Sequence, residues 1–197
     1  MPVPSHSPAP RGRPRSITRE RIADAGIALG LPHITFTGLA AELGVSHMAL
    51  YKHVPNLEAL KCLVAEEIFG RWEIPQVDGS GQTTLADYLE HFVTSLRALV
   101  RANPGLAPWL LRRSATTQPM LAKIDHHHRA VAQAWGLSQT QARWMLTTVA
   151  FHCIAVADTV YSVQACGCAA EENEIEQECT KGLHALITGT LALVKTM

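Results

Sequence analysis

The stretch that decides the fold runs from Phe36 to Pro55 and reads FTGLAAELGVSHMALYKHVP. Two helices that cross at a steep angle need a small residue where they approach, a residue that tolerates left-handed backbone in the turn, and apolar positions that hold them together. Ala40, Gly44 and Leu50 meet these three needs, and the apolar positions between them are Leu39, Leu43 and Val45. The pattern predicts two short helices, from about Thr37 to Leu43 and from Ser46 to His53.

Most of the remaining sequence also has a helical pattern. Apolar residues recur at spacings of three and four, and the alternation that is typical of strands is absent over any useful length. Thr18, Asn56 and Ser138 are residue types that cap helix N-termini, and Gly30 and Gly136 are suited to end helices. The sequence therefore predicts an all-α fold, with an N-terminal helix-turn-helix domain of three helices followed by a larger helical domain.

Composition excludes several classes of protein. The chain has 197 residues, of which 47% are hydrophobic and 17% are charged, which excludes a disordered chain. The first ten residues lack the apolar run of a secretory signal, and the uncharged stretch Trp144–Ala157 is shorter than the ~18 residues of a membrane span. We therefore expect a soluble cytoplasmic protein without a membrane partner. Its five cysteines are an odd number, and the expected state is free thiols.

The helix-turn-helix pattern resembles the DNA-binding domain of TetR-family transcriptional regulators. The matching residues are Leu39-Ala40, Glu42-Leu43-Gly44-Val45-Ser46, Ala49-Leu50-Tyr51, His53, Leu57, Ala59 and Leu60. The resemblance covers about residues 17–70; beyond them it rests on chain length and helical pattern. It implies a homodimer whose second short helix enters the major groove of a double-stranded DNA operator.

The resemblance also implies which residues contact DNA. His47, Met48 and Lys52 flank the buried positions of the second helix and are expected to reach base edges. Tyr51 and His53 match positions that contact phosphate or sugar, and the hydroxyls of Thr35 and Thr37 are expected at phosphate. The complete predicted set in this module is Thr35, Thr37, Ser46, His47, Met48, Tyr51, Lys52 and His53. Thr37, Gly38 and Leu57 depart from the family, which usually has basic residues at or near these positions.

The segment before the first helix has a basic cluster that can compensate for those missing cations. Arg11-Gly12-Arg13-Pro14-Arg15 resembles the core of an AT-hook, in which arginines enter the narrow minor groove of A·T-rich DNA. We expect residues 1–16 to form a flexible basic arm, with Arg11, Arg13 and Arg15 on DNA. The zero net charge of the chain fits this division, since residues 1–61 carry +3 and the remainder −3.

Residues 17–55 are thus predicted to bind DNA, and residues 56–197 to contain a linking helix and an effector-binding and dimerisation domain. The helices expected to pair in a dimer span about Ser138–Ala165 and Glu171–Lys195. Aromatic, Met and polar residues of the preceding helices are candidates for an effector pocket, although at helical spacing they also suit a plain core. The predicted set is Tyr88, Phe92, Trp109, Arg112, Met120, Trp135, Trp144, Met145 and His152. Other candidate polar groups are His91, Arg113, His128 and Asp158. The expected effector is small and largely apolar or aromatic, and no cofactor is expected.

The main hypothesis is a repressor that an apolar effector releases from a palindromic operator. Two other functions remain as alternatives to it. Cys166, Cys168, Cys179 and the run His126–His128 suggest a sensor of metal or oxidation. However, adjacent histidines on a helix differ in direction by ~100°, and the Cys-Gly-Cys spacing is short for zinc. An all-helical enzyme is the other alternative, but His152 and Asp158 are expected to face different directions and Ser138 has no evident base. No catalytic or metal site is predicted.

Overall fold

The computed structural model describes residues 17–78, 81–164 and 169–197, and within these ranges the regular structure is entirely helical. The α-helices are α1 (Arg19–Leu29), α2 (Phe36–Leu43), α3 (His47–Tyr51), α4 (Leu57–Arg71), α5 (Leu85–Ala102), α6 (Ala107–Leu111), α7 (Gln118–Ala134), α8 (Gln139–Gln164) and α9 (Ala169–Val194). Short 3₁₀ turns cover Leu31–His33 and Arg113–Ala115. The predicted all-α fold is confirmed.

The three predicted N-terminal caps are present. The side-chain oxygens of Thr18, Asn56 and Ser138 accept hydrogen bonds from the backbone N–H groups three residues later, at 3.3, 2.8 and 3.1 Å. Such caps satisfy amides that have no partner within the helix. Gly30 ends α1 as predicted, with a positive φ of 78°.

The second helix of the helix-turn-helix is shorter than predicted. It spans His47–Tyr51 rather than Ser46–His53, because Ser46 is the extended N-cap residue. At the other end, the backbone N–H of His53 donates to the carbonyl oxygen of Leu50 at 2.9 Å, which closes a tight turn instead of continuing the α-helix. Lys52 and His53 therefore lie just beyond the helix.

Helix α4 connects the two parts of the molecule. It packs on α1 in the N-terminal part and on α7 in the C-terminal part, while α8 packs on α5, α6, α7 and α9. The α1–α4 contact is close: a Cβ added to Gly26 would lie 2.4 Å from Cγ2 of Val64. Buried side chains from both parts form one connected core. Residues 139–161 of α8 meet a length and hydropathy criterion for a membrane span, which core helices also meet.

Candidate DNA-binding surface and ligand cavity

The turn between α2 and α3 has the geometry that the sequence predicts. Gly44 adopts the left-handed conformation, with φ 66° and ψ 36°. The backbone N–H of Gly44 then donates to Ala41, and that of Val45 to Ala40, at 3.1 and 3.0 Å, which satisfies the last carbonyls of α2. The side chain of Leu50 is completely buried and holds α3 on the core.

The outer face of α3 and the two threonines before it are solvent-exposed. The predicted contact residues Thr35, Thr37, Ser46, His47, Met48, Tyr51, Lys52 and His53 are all exposed. Met48 is 72% exposed, which is unusual for a large apolar side chain and suits a residue that meets a partner. The hydroxyls of Thr35 and Ser46 accept hydrogen bonds from Gly38 and Ala49 at 3.0 and 3.3 Å, so they cap α2 and α3 as well. Arg11, Arg13 and Arg15 lie outside the described residues.

An aromatic cluster holds the exposed rings of α3 in place. The ring of Phe36, at the start of α2, stacks on that of Tyr51 with centroids 4.5 Å apart and an interplanar angle of 11°. His47 meets both rings edge-on, with centroid distances of 5.4 Å to Phe36 and 5.2 Å to Tyr51. The sequence predicts DNA contacts for His47 and Tyr51 but none for Phe36. The sequence signal for this cluster is an aromatic residue at the first position of α2 together with two ring-bearing residues four positions apart in α3.

The C-terminal end of α4 is capped by a side chain from α7. The ammonium group of Lys123 donates to the carbonyl oxygens of Phe69, Gly70 and Trp72, at 3.0 Å for Phe69 and 2.7 Å for Gly70. It also lies 5.6 Å from the centroid of the Phe69 ring. Partial burial lowers the pKa of Lys123. This side chain was not among the predicted site residues.

An inner cavity of about 360 Å³ lies between α4, α5, α7 and α8. This volume is at the lower end of the range for sites that bind small molecules. Its walls are mainly apolar and aromatic, and they include Phe69, Trp72, Phe92, Leu96, Met120, Ile124, Leu146, Ala150, Phe151 and Ile154. The polar lining groups are Arg113, Thr116, Asp125, His127, His128, Arg143 and Thr147.

An outer cleft of about 850 Å³ adjoins this cavity between α7 and α8. The two spaces share Asp125, His128, Arg143 and Thr147, so these polar residues lie where the inner cavity meets the outer cleft. Arg129 and Trp144 line the outer cleft alone. A molecule that enters from this side would pass charged groups first and reach apolar walls afterwards.

The predicted effector residues are distributed over three environments. Phe92 and Met120 line the inner cavity, as do Arg113 and His128 from the wider set of polar candidates. Tyr88 and Trp135 pack against each other with ring centroids 4.9 Å apart, and Met145 is completely buried in the core. Trp144 lines the outer cleft, while Arg112 and His152 are exposed. Trp109 packs on the core, and its neighbours Leu110 and Leu111 line the cavity instead.

Sequence reasoning did not select the aromatic residues that close the cavity on the α4 side. Phe69 ends the apolar stripe of α4, and Trp72 follows the helix directly. The indole Nε1–H of Trp72 donates to the hydroxyl of Ser95 on α5 at 2.9 Å. That hydrogen bond joins residues 23 positions apart, and no local pattern indicates it.

A buried hydrogen-bonded pair forms part of the same region. The hydroxyl oxygen of Tyr88 lies 3.1 Å from the carbonyl oxygen of Pro75 and 2.6 Å from Nε2 of His127. Burial, together with the neighbouring histidines His128 and His126, lowers the pKa of His127 to about 4. Burial also lowers the pKa of His128 and raises that of Tyr88. His127 is therefore neutral at physiological pH.

The histidine run and the cysteines do not assemble into a metal site within the part of the chain that the structure describes. His126 is exposed, whereas His127 and His128 are buried. Cys153 is buried, which raises the pKa of its thiol to about 12, and burial also raises the pKa of Cys62. Both are therefore weak candidates for a reactive thiolate. Cys166 and Cys168 lie outside the described residues.

Comparison with solved structures identifies the fold. A TetR variant from Acinetobacter baumannii in complex with minocycline superposes with a TM-score of 0.73 at 21% identity, over 91% of this chain and 99% of that one. ActR, a TetR family protein of Streptomyces coelicolor in complex with actinorhodin, gives a TM-score of 0.72 at 21% identity, over 90% and 97% of the two chains. A further TetR from Streptomyces coelicolor gives 0.65 at 17% identity, over 91% and 98%.

No protein-family model matches the chain, and no curated protein matches it in sequence. The structural likeness nevertheless extends over nearly the whole of each chain. The protein therefore has the fold of TetR-family transcriptional regulators, as the helix-turn-helix residues predicted.

Proposed function

We propose that the protein is a DNA-binding transcriptional regulator whose affinity for its operator is controlled by a small, largely apolar or aromatic ligand. In this proposal a homodimer binds a palindromic operator as a repressor, and the ligand releases it. The protein acts in the cytoplasm and catalyses no reaction. The C-terminal part, residues 56–197, provides ligand binding and dimerisation.

The observation that carries the proposal is the position of α4. Its N-terminal end follows the turn after α3, and the helix packs on α1 of the DNA-binding part. At its C-terminal end, Phe69 and Trp72 line the inner cavity, and Lys123 of α7 caps the helix. A ligand between Phe69 and Met120 would therefore press on the same helix that supports the DNA-binding part.

The thermodynamics require the ligand to prefer one arrangement of α4. A ligand shifts an equilibrium only by its difference in affinity for the two states. In a dimer that binds successive major grooves, the recognition helices must be about 34–36 Å apart. A small tilt of α4 would change that separation and weaken both half-site contacts together.

Each part of the DNA-binding surface has a proposed role. The exposed side chains of His47, Met48 and Lys52 reach base edges, and Tyr51 and His53 contact the phosphate backbone together with the hydroxyls of Thr35 and Thr37. Ser46, as the N-cap of α3, presents the start of that helix to the DNA. The basic run that contains Arg11, Arg13 and Arg15 enters the minor groove.

Two observations support the ligand and the dimer. The similar structures include complexes with minocycline and actinorhodin, and the inner cavity here is predominantly apolar and aromatic. Phe151 of α8 and Leu193 of α9 are 49% and 56% exposed, and burial in a partner would remove these apolar side chains from water.

The test is a fluorescence anisotropy titration of the full-length protein with DNA from upstream of its own coding sequence. We expect saturable binding at physiological salt, and only weak binding to a scrambled duplex of equal length. Sedimentation at the same protein concentration should give a dimer. Equal affinity for both duplexes would overturn the proposal.

A further inference from the structure

We infer that the ligand of the inner cavity is an aromatic molecule that bears a hydroxyl group, and that this hydroxyl donates a hydrogen bond to Nδ1 of His127. The inference rests on the proposed function to the extent that the cavity is a ligand site. It goes further by naming the chemical class and the atom that recognises it.

The number of protons in the Tyr88–His127 pair determines the direction of its hydrogen bonds. A phenol hydroxyl has one proton to donate, and the carbonyl oxygen of Pro75 is an acceptor only. When Tyr88 donates to Pro75 at 3.1 Å, its oxygen must accept from the group 2.6 Å away, which is Nε2 of His127. Both hydrogen bonds exist together only when Nε2 carries the imidazole proton.

The proton on Nε2 also determines the role of the other ring nitrogen. A neutral imidazole has one N–H, so a proton on Nε2 leaves Nδ1 as a hydrogen-bond acceptor. His127 is 7% exposed and lines the inner cavity, and the described residues supply no hydrogen-bond partner for its Nδ1. An acceptor on the wall of a cavity can take a hydrogen bond from a bound molecule, so Nδ1 is available to a ligand that carries a donor.

The surroundings of His127 define the rest of the ligand. The His127 ring lies 5.1 Å from that of Phe92 at an interplanar angle of 34°. Trp72 and Phe69 continue the aromatic wall, with ring centroids 5.6 Å apart. Such walls favour a flat aromatic body, since aromatic rings attract each other in stacked and edge-on arrangements beyond the effect of the area that they bury.

The charges of the lining residues indicate whether the ligand group at His127 is neutral or ionised. Asp125, His128 and Arg143 line both the inner cavity and the outer cleft, and Arg113 lines the inner cavity only. An ionised ligand group placed against the neutral imidazole of His127 would lose its hydration, and the imidazole offers it no opposite charge. A neutral hydroxyl satisfies Nδ1 without that cost. Hydroxylated aromatic compounds thus fit better than aromatic carboxylates or amines at the His127 end.

The test compares two probes that differ only in the donor. Isothermal titration calorimetry of the full-length protein without DNA measures the affinities of 2-naphthol and of its methyl ether, 2-methoxynaphthalene. One hydrogen bond is worth about 0.5–1.5 kcal/mol, so we expect 2-naphthol to bind about 2–10-fold more tightly. Equal or tighter binding of the ether, or no binding of either probe, would overturn the inference.

Two variants test whether Nδ1 of His127 causes the preference for 2-naphthol over its methyl ether. His127→Phe keeps an aromatic ring but removes Nδ1, and it should bind both probes with equal affinity. His126→Phe replaces an exposed histidine that lines neither the inner cavity nor the outer cleft, and it should retain the preference for the naphthol. Retained preference in His127→Phe would overturn the inference. If that variant does not fold, the comparison of the two probes with the wild-type protein still tests the inference.

A spectroscopic readout is independent of affinity. In protein labelled with ¹⁵N-histidine, the signal of His127 is the one that His127→Phe lacks. Addition of 2-naphthol should shift its unprotonated nitrogen, whereas the ether should not. These measurements use no DNA, so a protein that prefers the naphthol but binds no operator would refute the proposed function alone, and the opposite result would refute this inference alone.

Discussion

Nζ of Lys123 lies 2.7 Å from the carbonyl oxygen of Gly70, so a cation from α7 caps the C-terminal end of α4. The last carbonyls of a helix lack partners within the helix, and the helix dipole favours positive charge there. Phe69 and Trp72, whose carbonyl oxygens accept from the same ammonium group, also line the inner cavity. The cap thus connects the inner cavity to the helix that packs on the N-terminal part.

Replacement of Lys123 by Met should weaken this connection. Met retains the length and the apolar stem but donates no hydrogen bond. Because the side chain is only partly buried, we expect the free energy of unfolding to fall by about 1–2 kcal/mol. Urea denaturation measures the change, and Lys181→Met, at an exposed lysine of α9, is the control. Equal stability of Lys123→Met and wild type would show that the cap contributes nothing.

The contact between α1 and α4 leads to a second prediction. Gly26→Ala places a Cβ 2.4 Å from Cγ2 of Val64, a branched side chain with little freedom to move. We expect a loss of about 1–3 kcal/mol in unfolding free energy. Gly70→Ala is the matched control, since a Cβ there has no neighbour within 4 Å, and it should stabilise α4 by up to about 1 kcal/mol. The tight-contact explanation fails if both variants shift stability in the same direction.

The Phe36–Tyr51 stack should matter for DNA affinity. Phe36→Leu preserves an apolar side chain but removes the ring that orients Tyr51 and His47. Loss of an aromatic pair worth about 0.5–1.5 kcal/mol should weaken operator binding by about 2–10-fold. Tyr51→Phe keeps the stack and reports the contribution of the hydroxyl alone. Anisotropy titrations measure both variants, and wild-type affinity in Phe36→Leu would contradict an orienting role.

Local residue preferences predict a large part of this fold. The caps at Thr18, Asn56 and Ser138 and the left-handed turn at Gly44 depend on residues within a few positions of each other. The contacts of a helix-turn-helix join residues that are close in sequence, so the residue spacing of the motif can be recognised in the sequence. The end of α3 was predicted less accurately, because the turn at His53 forms through a backbone hydrogen bond that no particular residue type indicates.

The inner cavity was harder to predict because it forms between distant segments. Lys123 meets Gly70 across 53 positions, and Tyr88 meets His127 across 39. The periodicity of one helix shows which residues face inward but not which of them border an empty space. Met145 and Phe92 therefore appear equivalent in the sequence, although Met145 is core and Phe92 lines the cavity.

The basic segment before α1 should contribute to the salt dependence of DNA binding. Removal of residues 2–15 deletes Arg11, Arg13 and Arg15, and each phosphate contact contributes about 0.9 to the slope of log affinity against log salt. We expect the slope to fall by up to about 3 for each protomer. An unchanged slope after the deletion would show that the arm makes no ionic contacts with the operator.

The depressed pKa of His127 predicts that stability falls in mild acid. Folding lowers the pKa of this histidine from an ordinary value near 6.5 to about 4, so between these values the unfolded chain binds a proton that the folded protein does not. Stability rises with pH wherever the unfolded state holds more protons, and it therefore decreases as the pH falls through this window. For His127 alone, the loss between pH 7 and pH 5 is about 2 kcal/mol. Burial of His128 acts in the same direction.

Urea unfolding at fixed protein concentration measures this effect at both pH values. His127→Phe should remove about 2 kcal/mol of the difference between them. His152→Gln, at an exposed histidine of α8, controls for the loss of a histidine as such. The lowered pKa values of Glu20 and Asp87 belong to groups whose ordinary values are 4.5 and 3.8, so their main effect lies at lower pH. If His127→Phe keeps the full pH dependence of the wild type, the imidazole must already bind its proton in the folded protein. An imidazolium carries N–H groups on both ring nitrogens, so Nδ1 would then be a donor and not an acceptor at pH 5.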